Sequence, residues 1–530
     1  MNFDLPMLAS CFSKMTCYEL NNVCNYIISS QAIYFQTYRQ FSVTPLNEMF
    51  DISHIDLYSL CPAKYISLKC YNGRIGCERL QDLPIAPGSI LNEQQKDKIF
   101  NYWKNDLELT ENLFKKLGPQ IQLRRKMSND FNLDVMSRSD SNIAEDYMKS
   151  RLCLSGTPIV SRDTTYDYNT PDFIKTSCKQ IFENITFKLN NAGNITLPDT
   201  IKRSDMTYKR GPKKYQLGLG GIHSTEKKEA FICKDNEIII NADVSSYYPS
   251  IIINCGLCPS HIGNNFLAVY KHLVDERLKA KEKGDKARND SLKIVINGCY
   301  GKFTNVYSVL YDPKVALQVA VTGQLALIDL IDMFEPDEVI SANTDGVFLK
   351  VKTSKIAETQ RKLKRWESDT GFYLDTDEYQ AVYSRDVNNY VAIRHDKSYK
   401  TKGVCSFAMS LSKSPQAPIV QESVVMFLSK GYNIEKTIRN CKDIIKFCHL
   451  RNVKNGAKYK NMYLGKTVRW CYVKNGDYIL TVDKEDKVAK ANGCLPVMTN
   501  KGMVKNIDYE RYISDAYELL SDLGYYRDLL

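Results

Sequence analysis

The chain has 530 residues, of which 43% are hydrophobic, enough to form several domains with cores of ordinary size. The formal net charge of +11 favours an anionic partner, nucleic acid before a membrane. With no apolar run of about 18 residues and no secretory pattern at the N-terminus, we expect neither a membrane span nor export. Its 17 irregularly spaced cysteines argue against a disulfide framework and indicate a reducing compartment.

Residues 1–125 begin with Asn2-Phe3-Asp4 and include a polar stretch, 93–117, that predicts a helix. Tyr102 and Asp106 are four residues apart in this stretch and therefore share a helix face. The two patterns resemble the second and third motifs of the DnaQ-like 3′-5′ exonuclease domain, which has an RNase H-like fold. The resemblance implies that Asp4 and Asp106 bind metal and that Tyr102 orients the attacking water.

The first motif of that exonuclease domain, D-x-E, precedes the second motif in the family and is therefore expected upstream of Asn2. Two-metal hydrolysis needs carboxylates that hold both ions about 3.5–4 Å apart. With two of the four ligands missing, we expect that this chain alone does not proofread. A separate N-terminal exonuclease fragment is therefore an expected partner.

Residues 126–224 are predicted to form a connector rich in polar turns. The densest basic run, 208–214 (YKRGPKK), is either a solvated loop or a contact to template phosphate. The glycine-rich run 217–224 follows, and Gly220 and Gly221 would let its backbone approach a phosphate closely.

The β-branched run 237–240 predicts a buried strand, and 241–250 (NADVSSYYPS) follows it directly. An Asp at the end of a strand, here Asp243, suits Mg²⁺, which takes few protein carboxylates and completes its shell with water and substrate phosphate. On this stretch alone, an Asp that caps the following turn is the more frequent explanation.

Two later stretches change that balance. Residues 276–286 predict a charged helix and a turn, and the next helix carries 293–301 (KIVINGCYG), with Lys293, Asn297 and Tyr300 on one face. Residues 341–349 predict a β-hairpin with Asp345 at its tip.

In this order, the three stretches resemble motifs A, B and C of the family B DNA polymerases, particularly the bacteriophage members. The family motifs read D-x-x-S-L-Y-P-S, K-x-x-x-N-S-x-Y-G and D-T-D-S. The chain departs from them at Tyr247, Gly298, Asn343 and Gly346. The resemblance implies an α+β fold, a right hand of palm (225–263 and 302–400), fingers (264–301) and thumb (401–530), preceded by the partial RNase H-like exonuclease domain.

In that family the two motif acids, here Asp243 and Asp345, are catalytic and share two Mg²⁺ ions, for which Mn²⁺ can substitute. The Val244 carbonyl would complete one ion's shell. One ion activates the primer 3′-hydroxyl and the other holds the triphosphate. Tyr248 has the position of the gate against ribonucleotides. The implied nucleotide-binding set is Ser246, Tyr247, Tyr248, Arg277, Lys281, Lys293, Asn297, Tyr300 and Gly301.

The resemblance also implies DNA contacts. The family's template-binding loop matches at Gly220 and Gly221, and its K-x-Y region matches at Tyr390, with Asn388 in place of the Lys and Lys402 as a cation nearby. Residues 419–428 and 434–450 predict thumb helices. The alternating run 466–472 (KTVRWCY) predicts either a duplex-contacting strand or a core strand.

Together these observations predict a DNA-directed DNA polymerase that extends a nucleic-acid primer with dNTPs in the replication of viral DNA. The expected location is the cytoplasm of an infected host cell, with viral replication proteins as further partners. The short gaps between the motifs leave no room for the insertions of protein-primed members, so no terminal-protein primer is expected. A catalytically inactive DNA-binding protein and a 3′-5′ exonuclease are the two alternatives.

Overall fold

The computed structural model describes residues 3–50, 54–62, 65–83, 85, 89–158, 160–161, 164–226 and 228–525. About 45% of the chain is helix and 20% is strand, which confirms the predicted α+β class. The chain divides into two compact units, one of residues 1–61 with 117–139 and one of 62–116 with 140–530.

The N-terminal part of the chain is helical. Its helices are α1 (Asp4–Phe12), α2 (Cys17–Ser30), α3 (Tyr34–Phe41), α4 (Leu46–Met49), α5 (Leu57–Leu60), α6 (Leu68–Arg74), α7 (Glu93–Lys116), α8 (Gly118–Phe131) and α9 (Asp140–Leu152). An RNase H-like domain is built on a β-sheet, and the described residues between 3 and 158 contain no strand. The prediction of an RNase H-like remnant is therefore wrong for these residues, whereas the helix predicted over 93–117 is confirmed as α7.

The second unit contains the sheets. Its strands are β1 (Thr165–Asp167), β2 (Thr186–Leu189), β3 (Ile195–Thr196), β4 (Thr207–Arg210), β5 (Lys213–Gln216), β6 (His223–Ser224), β7 (Glu229–Ile232), β8 (Glu237–Val244), β9 (Val339–Asn343), β10 (Gly346–Lys352), β11 (Leu374–Tyr379), β12 (Ala381–Asp386), β13 (Asn389–Ile393), β14 (Tyr399–Lys402), β15 (His449–Tyr459), β16 (Met462–Asp477), β17 (Ile479–Thr481) and β18 (Cys494–Pro496). In the described part of the chain, three sheets of four strands run β11-β8-β10-β9, β14-β13-β12-β7 and β17-β15-β16-β18, and two of three strands run β1-β2-β3 and β4-β5-β6.

The remaining helices of this unit connect the strands. They are α10 (Gln180–Glu183), α11 (Tyr247–Asn254), α12 (Asn264–Glu282), α13 (Lys286–Phe303), α14 (Pro313–Asp332), α15 (Ile356–Thr370), α16 (Pro418–Lys430), α17 (Ile434–Asn440) and α18 (Tyr509–Asp522), with 3₁₀ turns at Ser177–Lys179, Thr353–Lys355, Gly403–Cys405 and Ile444–Phe447. The pair α12 and α13 confirms the predicted helix, turn and second helix around residue 284.

Helix α14 is the apolar core helix of this unit. By length and hydropathy alone it could cross a membrane, but 89% of its most apolar window is buried inside the protein. The Asp312 side chain accepts the Val315 N–H at its start. At its end, the Arg210 guanidinium donates to the carbonyls of Ile331 (2.5 Å), Asp332 (3.0 Å) and Phe334. Arg210, part of the basic run 208–214, is therefore a helix cap.

The C-terminal sheet corrects two predictions. The helix expected over 434–450 ends at Asn440 in α17, and the predicted span continues as a 3₁₀ turn and then as β15, in which His449 and Leu450 pair with Trp470 and Arg469. The run 466–472 lies in β16 and is mostly buried. Arg469 donates to the carbonyls of Val497 and Cys77, so the core-strand alternative holds and duplex contact by this run is wrong.

His449 makes this sheet sensitive to acid. The imidazole is 4% exposed and stacks on Trp470, and burial, with Lys490, Arg511 and Arg451 nearby, lowers its pKa from 6.5 to about 3. The unfolded chain then binds a proton that the folded chain does not, so we expect the free energy of unfolding to fall as pH drops below about 6.5, by up to about 1.4 kcal/mol per pH unit.

Denaturant unfolding of wild type and His449→Gln at pH 7 and 5 measures this effect. The variant should lose less stability between the two pH values than wild type. The exposed His395→Gln variant is the matched control and should keep the wild-type pH dependence. An unchanged pH dependence in the His449 variant would contradict the assignment.

Candidate active site

The hairpin predicted around Asp345 is confirmed as β9 and β10, and it lies beside the strand that carries Asp243. Gly346 of β10 is the register partner of Asp243 on β8. The Val244 N–H donates to the Asp345 carbonyl at 2.6 Å. Since Asp345 directly precedes the residue opposite Asp243, the two acids lie at the same end of neighbouring strands.

The Asp243 carboxylate has polar partners on its own strand and on β14. Its Oδ2 accepts from Asn241 Nδ2 at 2.7 Å and lies 3.6 Å from Lys400 Nζ, and the side chain is 38% exposed. Burial raises its pKa; Lys400 and Asn241 oppose that rise, and the Asp345 charge adds to it. The site therefore disfavours the charged form of Asp243, and a metal ion bound beside the carboxylate would stabilise that form.

Gly346 has no side chain and therefore leaves room for the Asp243 carboxylate. A Cβ at Gly346 would lie 2.2 Å from Asp243 Oδ1 and 2.9 Å from the Ala242 carbonyl. The motif C departure at Gly346 therefore has a local reason, because a residue with a Cβ would force Asp243 out of this rotamer.

The carboxylates of Asp243 and Asp345 fit a divalent ion whose coordination shell is completed by oxygen atoms of the substrate. Mg²⁺ needs only one or two protein carboxylates when phosphate oxygens fill its shell. Asp375 on β11 is also a register partner of Asp243, so its side chain lies on the same face of the sheet. Within the described ranges, no group of three or more His, Cys, Asp or Glu side chains is arranged to hold a metal by itself.

The predicted gate residue lies at the start of α11, directly after this strand. Tyr248 donates its hydroxyl to the Gly220 carbonyl at 3.2 Å, and its ring centroid is 4.4 Å from that of Tyr300 on α13. Tyr247 is buried and donates to the Gly323 carbonyl at 2.5 Å. Tyr248 and Tyr300 are thus brought together, whereas Tyr247 turns into the protein core.

Arg277 connects α12 to the strand end. Its Nη1 donates to Ser246 Oγ at 2.7 Å and its Nε to Asn289 Oδ1 on α13 at 3.2 Å. The other predicted nucleotide-binding residues of the two helices, Lys281, Lys293, Asn297 and Gly301, are exposed. Arg277 and Ser246 therefore form one contact of the site.

The glycine loop 217–224 is attached to the same site. Gln324 of α14 accepts the Gly218 N–H at 2.9 Å and donates to the Gly218 carbonyl at 2.8 Å. Ser224 Oγ accepts the Ala342 N–H of β9 at 2.8 Å. A Cβ at Gly221 would lie 2.5 Å from Thr344 Oγ1, next to Asp345. The predicted template loop is therefore in close contact with the hairpin tip at Gly221, with no space for a side chain there.

The basic strands before this loop have two different faces. Tyr208 and Arg210 point to α14, whereas Lys209 and Lys214 are exposed and directly opposite each other. Like charges in opposed register are unfavourable by themselves and suit an anionic strand laid across them.

The predicted K-x-Y residues lie in the sheet β14-β13-β12-β7. Asn388 is exposed between β12 and β13, and Tyr390 is buried with its ring edge-on to Phe348 at 5.4 Å. Lys402 Nζ lies 6.0 Å from the Tyr390 ring centroid. It is Lys400, rather than Lys402, that reaches a catalytic candidate.

The predicted exonuclease residues that the structure describes lie on two different helices. Asn2 is outside the described residues, and Asp4 begins α1 in the first unit, whereas Tyr102 and Asp106 lie on α7 in the second. Lys69 Nζ lies 2.7 Å from Tyr102 Oη and 4.0 Å from Asp106 Oδ1, and 3.0 Å from an Asp82 oxygen. A lysine thus occupies the position of a cation beside Asp106, so this group is an ion-pair cluster.

Several residues of the site were not predicted from the sequence. They are Asn241, Ser224, Gln324, Thr344 and Asp375. Asn241 and Asp375 had a usable signal, because residues two apart on a strand share a face and alternation over 374–379 predicts a strand. Thr344 directly precedes Asp345 in the chain. Ser224 and Gln324 reach the site through contacts far apart in the chain.

No protein-family model matches the chain. The curated "Uncharacterized mitochondrial protein ymf34" of Marchantia polymorpha is 33% identical over 72 residues, which are 14% of this chain and 93% of that protein. Among solved structures, the family B DNA polymerase from the hyperthermophilic archaeon Pyrobaculum calidifontis is similar with a TM-score of 0.43 and 17% identity. That match covers 89% of this chain, which spans 63% of the polymerase.

Proposed function

We propose that this chain is a DNA-directed DNA polymerase that extends a nucleic-acid primer with dNTPs. Over the 72 matched residues the chain belongs to one family with the Marchantia mitochondrial protein. The supporting observation is the register that makes Gly346 the partner of Asp243, since it sets two carboxylates from separate motifs at one sheet end. A catalytically inactive DNA-binding protein has no need of such a pair.

Phosphoryl transfer requires mainly placement and charge neutralisation, and the chain offers both. The primer 3′-oxygen forms a bond to the α-phosphorus, the bond to the β-phosphate oxygen breaks, pyrophosphate leaves, and the hydroxyl proton passes to solvent. Bound Mg²⁺ would supply activation of the hydroxyl and neutralisation of the leaving group. Asp243 and Asp345 would hold it, and Arg277, Lys281 and Lys293 would face the triphosphate.

Extension of a labelled primer on a DNA template with Mg²⁺ and dNTPs tests the proposal. We expect template-directed elongation that EDTA abolishes. Tight DNA binding without elongation would instead identify a DNA-binding protein. Primer shortening without dNTPs would identify an exonuclease, which the lysine beside Asp106 argues against. Transfer of a deoxynucleotide to a protein hydroxyl would contradict the nucleic-acid primer.

The biological setting is also a proposal. The resemblance to bacteriophage members favours replication of viral DNA in the cytoplasm of an infected cell. The mitochondrial name of the similar Marchantia protein favours an organelle as the second setting. Sequencing of the genomic region that encodes this chain distinguishes viral neighbours from organellar ones.

Tyr248→Ala is expected to raise incorporation of ribonucleotides relative to deoxynucleotides by about tenfold, because a steric clash of a few atoms is worth about 1–3 kcal/mol. Its ring faces Tyr300 and would fill the space of a ribose 2′-hydroxyl. Tyr248→Phe is the matched control, since it keeps the ring and loses only the bond to Gly220. Single-nucleotide incorporation with dATP and ATP measures the ratio, and an unchanged ratio in the Ala variant removes Tyr248 from this role.

A further inference from the structure

Helix α9, which no motif includes, packs against the face of α13 that is turned away from the predicted nucleotide-binding residues. Lys293 and Asn297 are exposed on one side of α13. Because each residue advances by about 100°, Lys302 lies opposite Lys293, and Gly298 is turned about 100° from Asn297 and about 140° from Lys293. Both of these residues contact α9.

The two helices approach each other closely at Gly298. A Cβ at this position would lie 2.6 Å from the Ala144 Cβ and 3.1 Å from the Asp140 carbonyl. Ordinary carbon–carbon contacts lie at about 3.5–4.0 Å, so any side chain at 298 must separate the helices by about 1 Å. The Ala144 methyl group has no rotamer by which to move aside.

A buried ion pair holds α13 in register on α9. Lys302 Nζ lies 2.5 Å from Glu145 Oε2 and 2.8 Å from Asn142 Oδ1, and the Val309 N–H donates to Glu145 Oε1 at 3.0 Å. Lys302 is 3% exposed and Glu145 7% exposed. Buried charges are tolerated only with such complete partners, and sliding of either helix would leave them unpaired.

A second support holds the neighbouring face of α13. Tyr270 of α12 donates its hydroxyl to the Ile296 carbonyl at 3.1 Å, and the ring of Phe266 packs edge-on against Phe303 at 5.7 Å. With α12 on one side and α9 on another, the position of the exposed face of α13 depends on both contacts.

We propose that α9 is a positioning element of the nucleotide site, and that Gly298 is the positioning residue through which it sets the location of Lys293, Asn297 and Tyr300. The proposal rests on the proposed polymerase function. Displacements of about 1 Å at supporting positions can cost up to about 100-fold in rate. The effect should fall mainly on dNTP binding, because α13 carries none of the acids at the strand ends.

Gly298→Ser tests the proposal. We expect the KM for dNTP in primer extension to rise about tenfold with kcat within about twofold of wild type, since binding contacts are displaced and the acids are not. Gly298→Ser combined with Ala144→Gly should restore the KM, because removal of the Ala144 methyl group gives back the space. Ala144→Gly alone and Ala287→Ser, a hydroxyl on an exposed position of α13, are the controls.

The same variants are compared in dATP binding measured with Ca²⁺, which does not require turnover. Weaker binding by Gly298→Ser and recovery in the double variant support the inference. A lower melting temperature with unchanged KM and dATP affinity would show that the contact is only structural and overturn it. Failure of the polymerase proposal looks different, because wild type itself would then neither extend a primer nor bind dATP.

Discussion

Asp243→Asn is expected to lower primer extension by about 1000-fold or more, because several kcal/mol of metal-assisted charge stabilisation are lost and each 1.4 kcal/mol is a factor of ten. The amide keeps the shape of the side chain but carries no charge to attract a cation. Asp345→Asn should have an effect of similar size, since both acids lie at the same end of β8 and β10. Single-turnover extension with Mg²⁺ measures both variants.

Asp369→Asn is the matched control. This exposed aspartate at the end of α15 pairs with Arg365 on the surface, at 3.7 Å, and should retain wild-type extension. Robust synthesis by either active-site variant would remove the two acids from the chemistry and with them the proposed function.

Stability provides an independent check on the same variant. Burial raises the pKa of the Asp243 carboxyl, so the folded chain binds its proton more tightly than the unfolded chain does. The charged carboxylate therefore costs stability as pH rises above the ordinary value of this group, and Asp243→Asn should melt no lower than wild type in metal-free buffer at pH 7. Added Mn²⁺ should raise the melting temperature of wild type and not that of the variant.

Gly221→Val is expected to lower extension by about 100-fold, the cost of displacing a catalytic group by about 1 Å. A Cβ at 221 would lie 2.5 Å from Thr344 Oγ1 and 2.9 Å from Thr344 Cβ, and Thr344 directly precedes Asp345. The loop cannot withdraw easily, because Gly218 is bound to Gln324 and Ser224 to Ala342, one on each side of this contact. The added side chain should therefore push the hairpin tip and its carboxylate.

Gly220→Val is the comparison for this prediction. It removes a glycine from the same predicted template loop, but a Cβ at 220 meets no atom within 4 Å. A loss of primer extension shared by both variants measures the effect of changing the loop itself. The additional loss in Gly221→Val measures the effect of the contact with Thr344. We expect Gly220→Val to lose no more than about fivefold, since it moves no carboxylate. Equal losses in the two variants would disprove the coupling between loop and hairpin tip.

Local patterns were sufficient for the elements that carry the site. The β-branched run before Asp243 predicted β8, the turn residues around Asp345 predicted the hairpin, and the 3.6-residue period predicted α12 and α13. Each of these signals is confined to a few neighbouring residues, where backbone preferences and side-chain alternation are decisive.

Motif matching misled where the tertiary environment gave a residue another partner. Tyr102 and Asp106 have the spacing of an exonuclease motif, but Lys69 fills the place of a cation beside them. Arg469 is in a basic and aromatic run, but it is buried against backbone carbonyls of residues 77 and 497. A charged residue cannot reveal from the sequence whether its partner is a nucleic acid or its own chain.

The sequence by itself determined the mixed fold class, the strand and hairpin that bear Asp243 and Asp345, and the helix pair that follows the first of them. Only the tertiary structure decided which distant residues support that site: Lys400 beside Asp243, Gly221 against Thr344, and Gly298 against Ala144. The reason is physical. Secondary structure follows from interactions between neighbours in the chain, whereas a close contact or a buried ion pair depends on which distant segments meet and how far apart they lie.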